Sequence, residues 1–181
     1  EAPLTVEIGL GKDTHLLELA AAHPDRCFVG LEYARKKFDK VLRKIARRGG
    51  LENLRIIHAD VTRVFDAIFP PQSLERVYVL FPDPWPKKRH QRRRVLNPEF
   101  VARIATRMAP GALLEARTDN VEYLEQIVEV LGGSPALENA AGPDPYRLEP
   151  LDPEHHFPTL FERKFRARGL PIHYFYYRRR D

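Results

Sequence analysis

Strand-like and helix-like segments alternate five times between Leu4 and Gly133, and few architectures can accommodate that rhythm. LTVEIGL is a short apolar run that ends in glycines. DTHLLELAAAH places Leu16, Leu17, Leu19 and Ala20 at helical spacing, offers Asp13 or Thr14 as N-cap, and stops before Pro24. RCFVGLE reads as a second strand. ARKKFDKVLRKIARRG puts Phe38, Val41, Leu42 and Ile45 on one helical face and ends at Gly49-Gly50. LRIIHAD and VTRVFDAIF, closed by Pro70-Pro71, form the third pair, and LERVYVLFPD is a fourth strand. NPEFVARIATRMAPG carries Asn97 as N-cap and Pro98 at the first helical position. GALLEARTD and VEYLEQIVEVLGG complete the series. The expectation is an α/β fold: an open, mostly parallel sheet flanked by helices. Gly142 to Pro158 reads as loop, with five prolines, and TLFERKFRARG and LPIHYFYYRRR read as two final strands forming an antiparallel C-terminal pair.

The chain has 181 residues, a length expected of a single domain over 1–181. It opens EAPLTVEIGLG, almost on a strand, so an N-terminal leader is expected to be missing. No apolar run approaches the roughly 18 residues of a membrane span, so no membrane partner is expected. Cys27 is the sole cysteine, which excludes an intrachain disulfide and Cys-rich zinc sites, and a cytoplasmic location is the expectation. Net charge is +5, and six Lys/Arg fall between Lys87 and Arg94; without them 24 cations face 25 acids. The basic character is thus read as one patch, the footprint of a polyanion site. The competing reading is a solvated charged face.

In open α/β sheets ligands bind at the carboxyl ends of strands, near the point where strand order reverses. Glu7, Glu32, Asp60, Asp83 and Asp119 stand at such ends, one per strand. The first turn, EIGLGKDT, has Gly9 and Gly11 but Thr14 at the third glycine position of a dinucleotide fingerprint. Glu7 would also repel a pyrophosphate. The turn suits a cofactor that is cationic and lacks phosphates, as S-adenosylmethionine is. Glu32 follows Gly9 by 23 residues, where an acid commonly takes both ribose hydroxyls. Asp60 is read either as an acceptor for the adenine amino group or as the N-cap of the next helix.

EIGLG, GLE, HAD, FPDPWPKKRH and RTDN, in that order, resemble the bacterial tRNA (guanine-N7)-methyltransferase family, with PDPWPKKRH the most distinctive string. The resemblance spans nearly the whole chain and implies a Rossmann-like methyltransferase fold. It implies methyl transfer from S-adenosylmethionine to N7 of a guanine in the variable loop of tRNA. It also implies cofactor contacts from Glu7, Glu32 and Asp60, with Asp83 at the catalytic centre and touching the cofactor. Lys87, Asp119 and the segment Thr159, Leu160, Phe161 and Glu162 are implied to meet the substrate. Asp13 is a departure, because the family commonly has another glycine there.

Guanine N7 has an in-plane lone pair and no hydrogen, so methylation needs no base to remove a proton first. The purine becomes cationic in the transition state, and a carboxylate on N1–H and N2–H₂ then binds it more tightly. Asp83 or Glu162 is suited to this, with Asp119 holding the base from another side. Pro82, Pro84 and Pro86 fix φ and would aim Asp83, while Trp85 is read as packing beneath the loop, with stacking on a base as the alternative. Lys88, Arg89, Arg92, Arg93 and Arg94 are expected to bind the tRNA backbone, positioning without reading sequence. His155 and His156 read as solvated loop histidines, Cys27 as a small core residue and HYFYYRRR as strand packing. No metal site is expected. The alternatives are a non-catalytic RNA-binding protein on the same fold, favoured by Asp13 alone, a nicotinamide oxidoreductase, disfavoured by Thr14 and Glu7, and a DPPY-like exocyclic-amine methyltransferase, disfavoured because Trp85 separates Pro84 from Pro86.

Overall fold

The computed structural model describes residues 2–153 and 156–181. The alternation resolves into β1 (Leu4–Ile8), α1 (His15–Ala22), β2 (Cys27–Glu32), α2 (Arg35–Arg47), β3 (Leu54–His58), α3 (Val61–Ile68) and β4 (Leu74–Leu80). A 3-10 helix at Lys88–Arg93 precedes α4 (Pro98–Arg107), β5 (Met108–Thr118), α5 (Val121–Gly132), β6 (Leu137–Asn139), α6 (Leu160–Arg166) and β7 (His173–Arg179). The sheet order is β3-β2-β1-β4-β5-β7-β6, parallel except where β7 pairs antiparallel with β5 and β6. Strand order reverses at β1, with β2 on one side and β4 on the other.

The period-2 pattern of the strands divides the core. Val77 and Val79 face a layer made by α3, α4 and α5, around Phe65, Phe100, Ile104, Tyr123 and Ile127. Tyr78 and Leu80 face the opposite layer, with Leu16, Leu17 and Leu19 of α1 and Val41 of α2. Local chemistry fixes the helix starts. Asn97 accepts from Phe100 N–H at 3.0 Å, with Pro98 following, and Asn120 accepts from Tyr123 N–H at 2.8 Å. Each such cap is worth about 1 kcal/mol.

Two expectations are corrected. TLFERKFRARG is the helix α6, whose N-cap hydroxyl, Thr159 Oγ1, accepts from Glu162 N–H at 3.0 Å. The antiparallel pair is therefore β6 and β7, and β6 has only three residues. Cys27 opens β2 but is exposed, because the burial of that strand begins at Phe28. The HYFYYRRR stripe does pack as a strand, with Phe175 and Tyr177 on one face and Tyr174 and Tyr176 on the other.

α6 docks through a buried polar network. Glu162 has no solvent exposure. Its carboxylate accepts from Arg117 at 2.9 Å and the Tyr174 hydroxyl at 2.6 Å, and it meets His156 Nε2 at 2.6 Å and Arg166 at 3.3 Å. Arg117 also binds Glu115 at 2.7 Å, and Glu115 holds Arg76 at 2.8 Å. Burial pushes the Glu162 carboxyl up, but the His156 and Tyr174 hydrogen bonds and the Arg117 charge outweigh it and bring it from 4.5 to about 2. His156 is thereby a partner of the core acid rather than a solvated loop histidine; His155 lies outside the described residues.

This network should limit acid stability. A carboxylate depressed in the folded state stabilises fully above its unfolded pKa near 4.5, and that contribution is lost as pH falls through about 2. The shift corresponds to on the order of 3 kcal/mol. Urea midpoints should hold from pH 7 to 5 and then drop steeply. Glu162→Gln should be destabilised at pH 7 and show a shallower acid limb; an unchanged limb would refute the account.

Candidate active site

The carboxyl ends of β1 to β4 open into one pocket, beside the reversal of strand order. Its lining includes Glu7, Gly9, Gly11, Glu32, Asp60 and Asp83. Four of the five strand-end acids therefore converge. Asp119 is exposed and does not line the pocket.

The floor is the glycine loop. Gly9 and Gly11 have φ of 82° and 62°, the left-handed region that only glycine enters without strain. Gly9 N–H donates to Leu31 O at 2.8 Å and Gly11 N–H to Glu32 Oε2 at 2.7 Å. Glu32 Oε1 accepts from Ala34 N–H at 2.7 Å. Each oxygen has a second lone pair, so the carboxylate can still receive a diol. Asp13, the departure in this loop, is not among the positive-φ residues, so glycine is not required there. Its Oδ1 accepts from Thr14 N–H at 2.7 Å and His15 N–H at 3.2 Å, and its Oδ2 from Leu160 N–H at 2.8 Å. The aspartate thus ties the loop to the start of α6.

The pocket acids differ in what holds them. Glu7 is buried and meets His15 Nδ1 at 2.7 Å. Asp60 caps α3, accepting from Thr62 N–H at 3.1 Å and the Thr62 hydroxyl at 2.7 Å. The capping alternative read for Asp60 is thus realised, while its carboxylate still lines the pocket. Among the described residues only Asp83, of the acids lining the pocket, has no hydrogen-bond or ion-pair partner.

Asp83 owes its position to a strained loop. Phe81 and Trp85 both take positive φ, 49° and 43°. Each costs on the order of 1–3 kcal/mol and persists only where its surroundings enforce it. Two anchors do. Phe81 N–H donates to Arg117 O at 2.8 Å, and the Arg94 guanidinium donates to Pro84 O at 2.7 Å and to Gln126 Oε1 at 2.8 Å while lying over the Tyr123 ring. Arg94 is 3% exposed, so it is corrected from a phosphate contact to the clamp of this loop. Lys88, Arg89, Arg92 and Arg93 are exposed, as is Lys87. Trp85 is half-buried and forms a pocket wall, with Arg93 5.1 Å from its ring centroid.

From the substrate-assigned segment, Thr159 and Phe161 line the pocket. Leu160 is exposed beside it and Glu162 points into the core. A Glu162 carboxylate with four partners and no exposure is not available to a guanine edge. Sequence reasoning missed His15, Arg117 and the role of Arg94. It also missed that residues 35–48 hold eight Lys/Arg and one acid, so the basic character is not confined to one patch. No cluster of three or more His, Cys, Asp or Glu with metal-binding geometry occurs among the described residues.

The family model described as "Putative methyltransferase" matches residues 1–175. The tRNA (guanine-N(7)-)-methyltransferase of Alkalilimnicola ehrlichii is 39% identical over 99% of this chain and 74% of its own length. The enzyme of the same name from Paraburkholderia xenovorans is 41% identical over 91% of this chain and 61% of its own. The chain therefore spans between three-fifths and three-quarters of these relatives. TrmN from Thermus thermophilus superposes with a TM-score of 0.68 at 14% identity, covering 98% of this chain and 44% of that one. The 16S rRNA (adenine(1408)-N(1))-methyltransferase from Catenulisporales acidiphilia superposes with 0.65 at 19% identity, covering 99% and 85%. These two likenesses establish the fold, that of the Rossmann-like methyltransferases. With the glycine loop, the strand-end acids and the PDPW loop gathered on one pocket, and with this level of identity, the chain belongs to the tRNA (guanine-N7)-methyltransferase family.

Proposed function

We propose that this chain methylates N7 of a guanine in tRNA, in the variable loop, within the cytoplasm, and that Asp83 is its catalytic residue. The observation that carries the reading is the unpartnered Asp83 carboxylate, held by a strained and doubly anchored loop at the mouth of an acid-lined pocket. No helix among the described residues is long and apolar enough to cross a membrane.

The pocket fits S-adenosylmethionine on chemical grounds. Five carboxylates, Glu7, Asp13, Glu32, Asp60 and Asp83, oppose a pyrophosphate but complement an ammonium and a sulfonium. Glu32 would take the ribose diol, the Gly9–Gly11 turn would admit the close approach of the cofactor, and Asp60 would face its adenine. When bound, the cofactor supplies the methyl group. The protein's own task is positional: the base must present N7 about 3 Å from the methyl carbon. Asp83 accepts from guanine N1–H and N2–H₂, bonds that strengthen as the ring becomes cationic. Adenine lacks that donor pair and is rejected. Phe161 and Trp85 supply apolar walls for the base, and Lys87, Lys88, Arg89, Arg92 and Arg93 hold phosphates at the rim.

A non-catalytic RNA-binding reading loses its one supporting feature, since Asp13 fits the loop without a left-handed backbone.

Asp83→Asn should lower kcat by about 10²–10³ while leaving S-adenosylmethionine affinity within about threefold. The assay is formation of N7-methylguanosine on an unmodified tRNA transcript, read by nucleoside mass spectrometry, beside calorimetric cofactor binding. Equal losses in turnover and cofactor binding would sink the assignment.

Arg94→Ala removes the clamp on Pro84 and strands Gln126 and Tyr123. Expected are a loss of about 1–3 kcal/mol in urea unfolding and a fall in kcat, with the salt dependence of tRNA binding unchanged. A salt slope shallower by about one would instead return Arg94 to the phosphate-binding set.

A further inference from the structure

Helix α2 carries more charge than its fold requires. Residues 35–48 include eight Lys/Arg against Asp39 alone, and Asp39 is engaged by Arg35 Nε at 2.9 Å. Lys36, Lys40, Arg43 and Arg47 follow the i, i+4, i+7, i+11 spacing that lines up one helical face. All four are exposed. Among the described residues no carboxylate pairs with any of them. The opposite face packs Val41 and Ile45 into the core, which fixes the outward direction of the stripe.

Two features run against helix stability. Like charges at i, i+4 repel. The first turn, where the helix dipole favours acids, holds Arg35, Lys36 and Lys37 and no acid. A bound polyanion relieves both.

Topology sets where that polyanion would run. Lys37 lines the pocket, and the Lys44 ammonium donates to Lys12 O in the glycine loop, so α2 starts at the pocket mouth and stays pinned beside it. Arg93, from the 3-10 helix after β4, lines the same pocket. Because β1 lies between β2 and β4, the two basic elements leave the sheet on opposite sides of the cofactor loop.

We propose that the Lys36–Lys40–Arg43–Arg47 face of α2 is a second phosphate-docking surface, which holds a separate stretch of the RNA backbone across the pocket from the 3-10 helix. The stripe is about 16 Å long, from a rise of ~1.5 Å per residue. That length matches the axial rise of about five phosphates of one strand at ~3.4 Å each. Gripped on both sides of the pocket, a folded RNA presents its base with less freedom than one patch would leave it. The proposal rests on the tRNA reading above and adds to it a second contact region.

The test compares the parent chain with the quadruple variant K36Q/K40Q/R43Q/R47Q and with the charge-preserving K36R/K40R/R43K/R47K. Each is assayed for tRNA binding against salt, for hydroxyl-radical protection of the tRNA backbone, for KM and kcat on tRNA, and for S-adenosylmethionine binding. Circular dichroism reports on the helix. The parent should protect two backbone segments. The Gln variant should lose one of them, flatten the log–log salt slope by about 3–4 at ~0.7–0.9 per phosphate, and raise KM for tRNA about tenfold or more, with kcat within about twofold and cofactor binding unchanged. The charge-preserving variant should behave as the parent. Unchanged slope, footprint and KM in the Gln variant, with the parent active on tRNA, would overturn the second surface and leave the proposed function standing. A parent that binds S-adenosylmethionine but neither binds nor methylates tRNA would overturn both. Loss of binding to anionic phospholipid vesicles, with tRNA binding intact, would assign the stripe to a membrane surface and overturn the RNA proposal.

Discussion

Arg117 is the residue on which the site depends. Its backbone carbonyl receives the Phe81 N–H that opens the PDPW loop, and its guanidinium joins Glu115 to Glu162 and reaches Phe157 O. One residue of β5 therefore sets both the loop that carries Asp83 and the helix that carries Thr159 and Phe161. Such an arrangement is expensive to desolvate, and a buried ion pair is seldom a net source of stability. Its value here is geometric. Hydrophobic contacts would hold α6 against the sheet at many rotations and shifts, whereas a guanidinium between two carboxylates accepts one. Tyr174, His156 and Arg166 supply the remaining partners, so Glu162 leaves little unsatisfied.

The loop itself shows the same trade of stability for placement. Prolines at 82, 84 and 86 restrict φ but do not choose the direction of the side chains between them. That choice is made by the positive φ of Phe81 and Trp85, which proline cannot supply. Neither conformation is stable alone; Arg117 at one end and Arg94 at the centre hold it. Among the described residues Asp83 consequently has no hydrogen-bond or ion-pair partner, which leaves its oxygens free to accept. Glu7, Glu32 and Asp60 are the contrast: backbone amides, a hydroxyl and an imidazole have already recruited them to shape the pocket.

Features set by neighbours in sequence were legible from the residues. The strand–helix alternation, the Asn97 cap with Pro98 behind it, and the glycine turn at Gly9 and Gly11 depend on local chemistry and appear as expected. The segment 159–166 was legible and misread. Thr159 with Glu162 is the T-x-x-E signature of a helix start, and Phe161 and Phe165 lie four apart, yet aromatic content suggested a strand. Exposed Cys27 sits at a strand mouth, where burial depends on what the next layer covers. Arg94 was beyond reach: five neighbouring cations look identical in sequence, and only the packing of Tyr123 and Gln126 beneath it separates a clamp from a phosphate contact.

The strand-end acids carry the same lesson further. Their shared position predicted the pocket, because parallel strands deliver their carboxyl ends to one edge of the sheet. Their roles did not follow from position, since a carboxylate is equally an N-cap, a loop latch or a ligand contact. What separates them is which groups of the protein, backbone N–H, hydroxyl or imidazole, each carboxylate already meets, a question of three-dimensional accounting. Asp13 makes the point most directly. Read along the chain it is a missing glycine and a sign of lost function; in the fold it meets the start of α1 at one oxygen and the start of α6 at the other, joining the glycine loop to the segment that opens α6. Adding a side chain at that place is tolerated because the backbone there never enters the left-handed region, and it is useful because two helix starts bring their unpaired N–H groups within reach of one carboxylate.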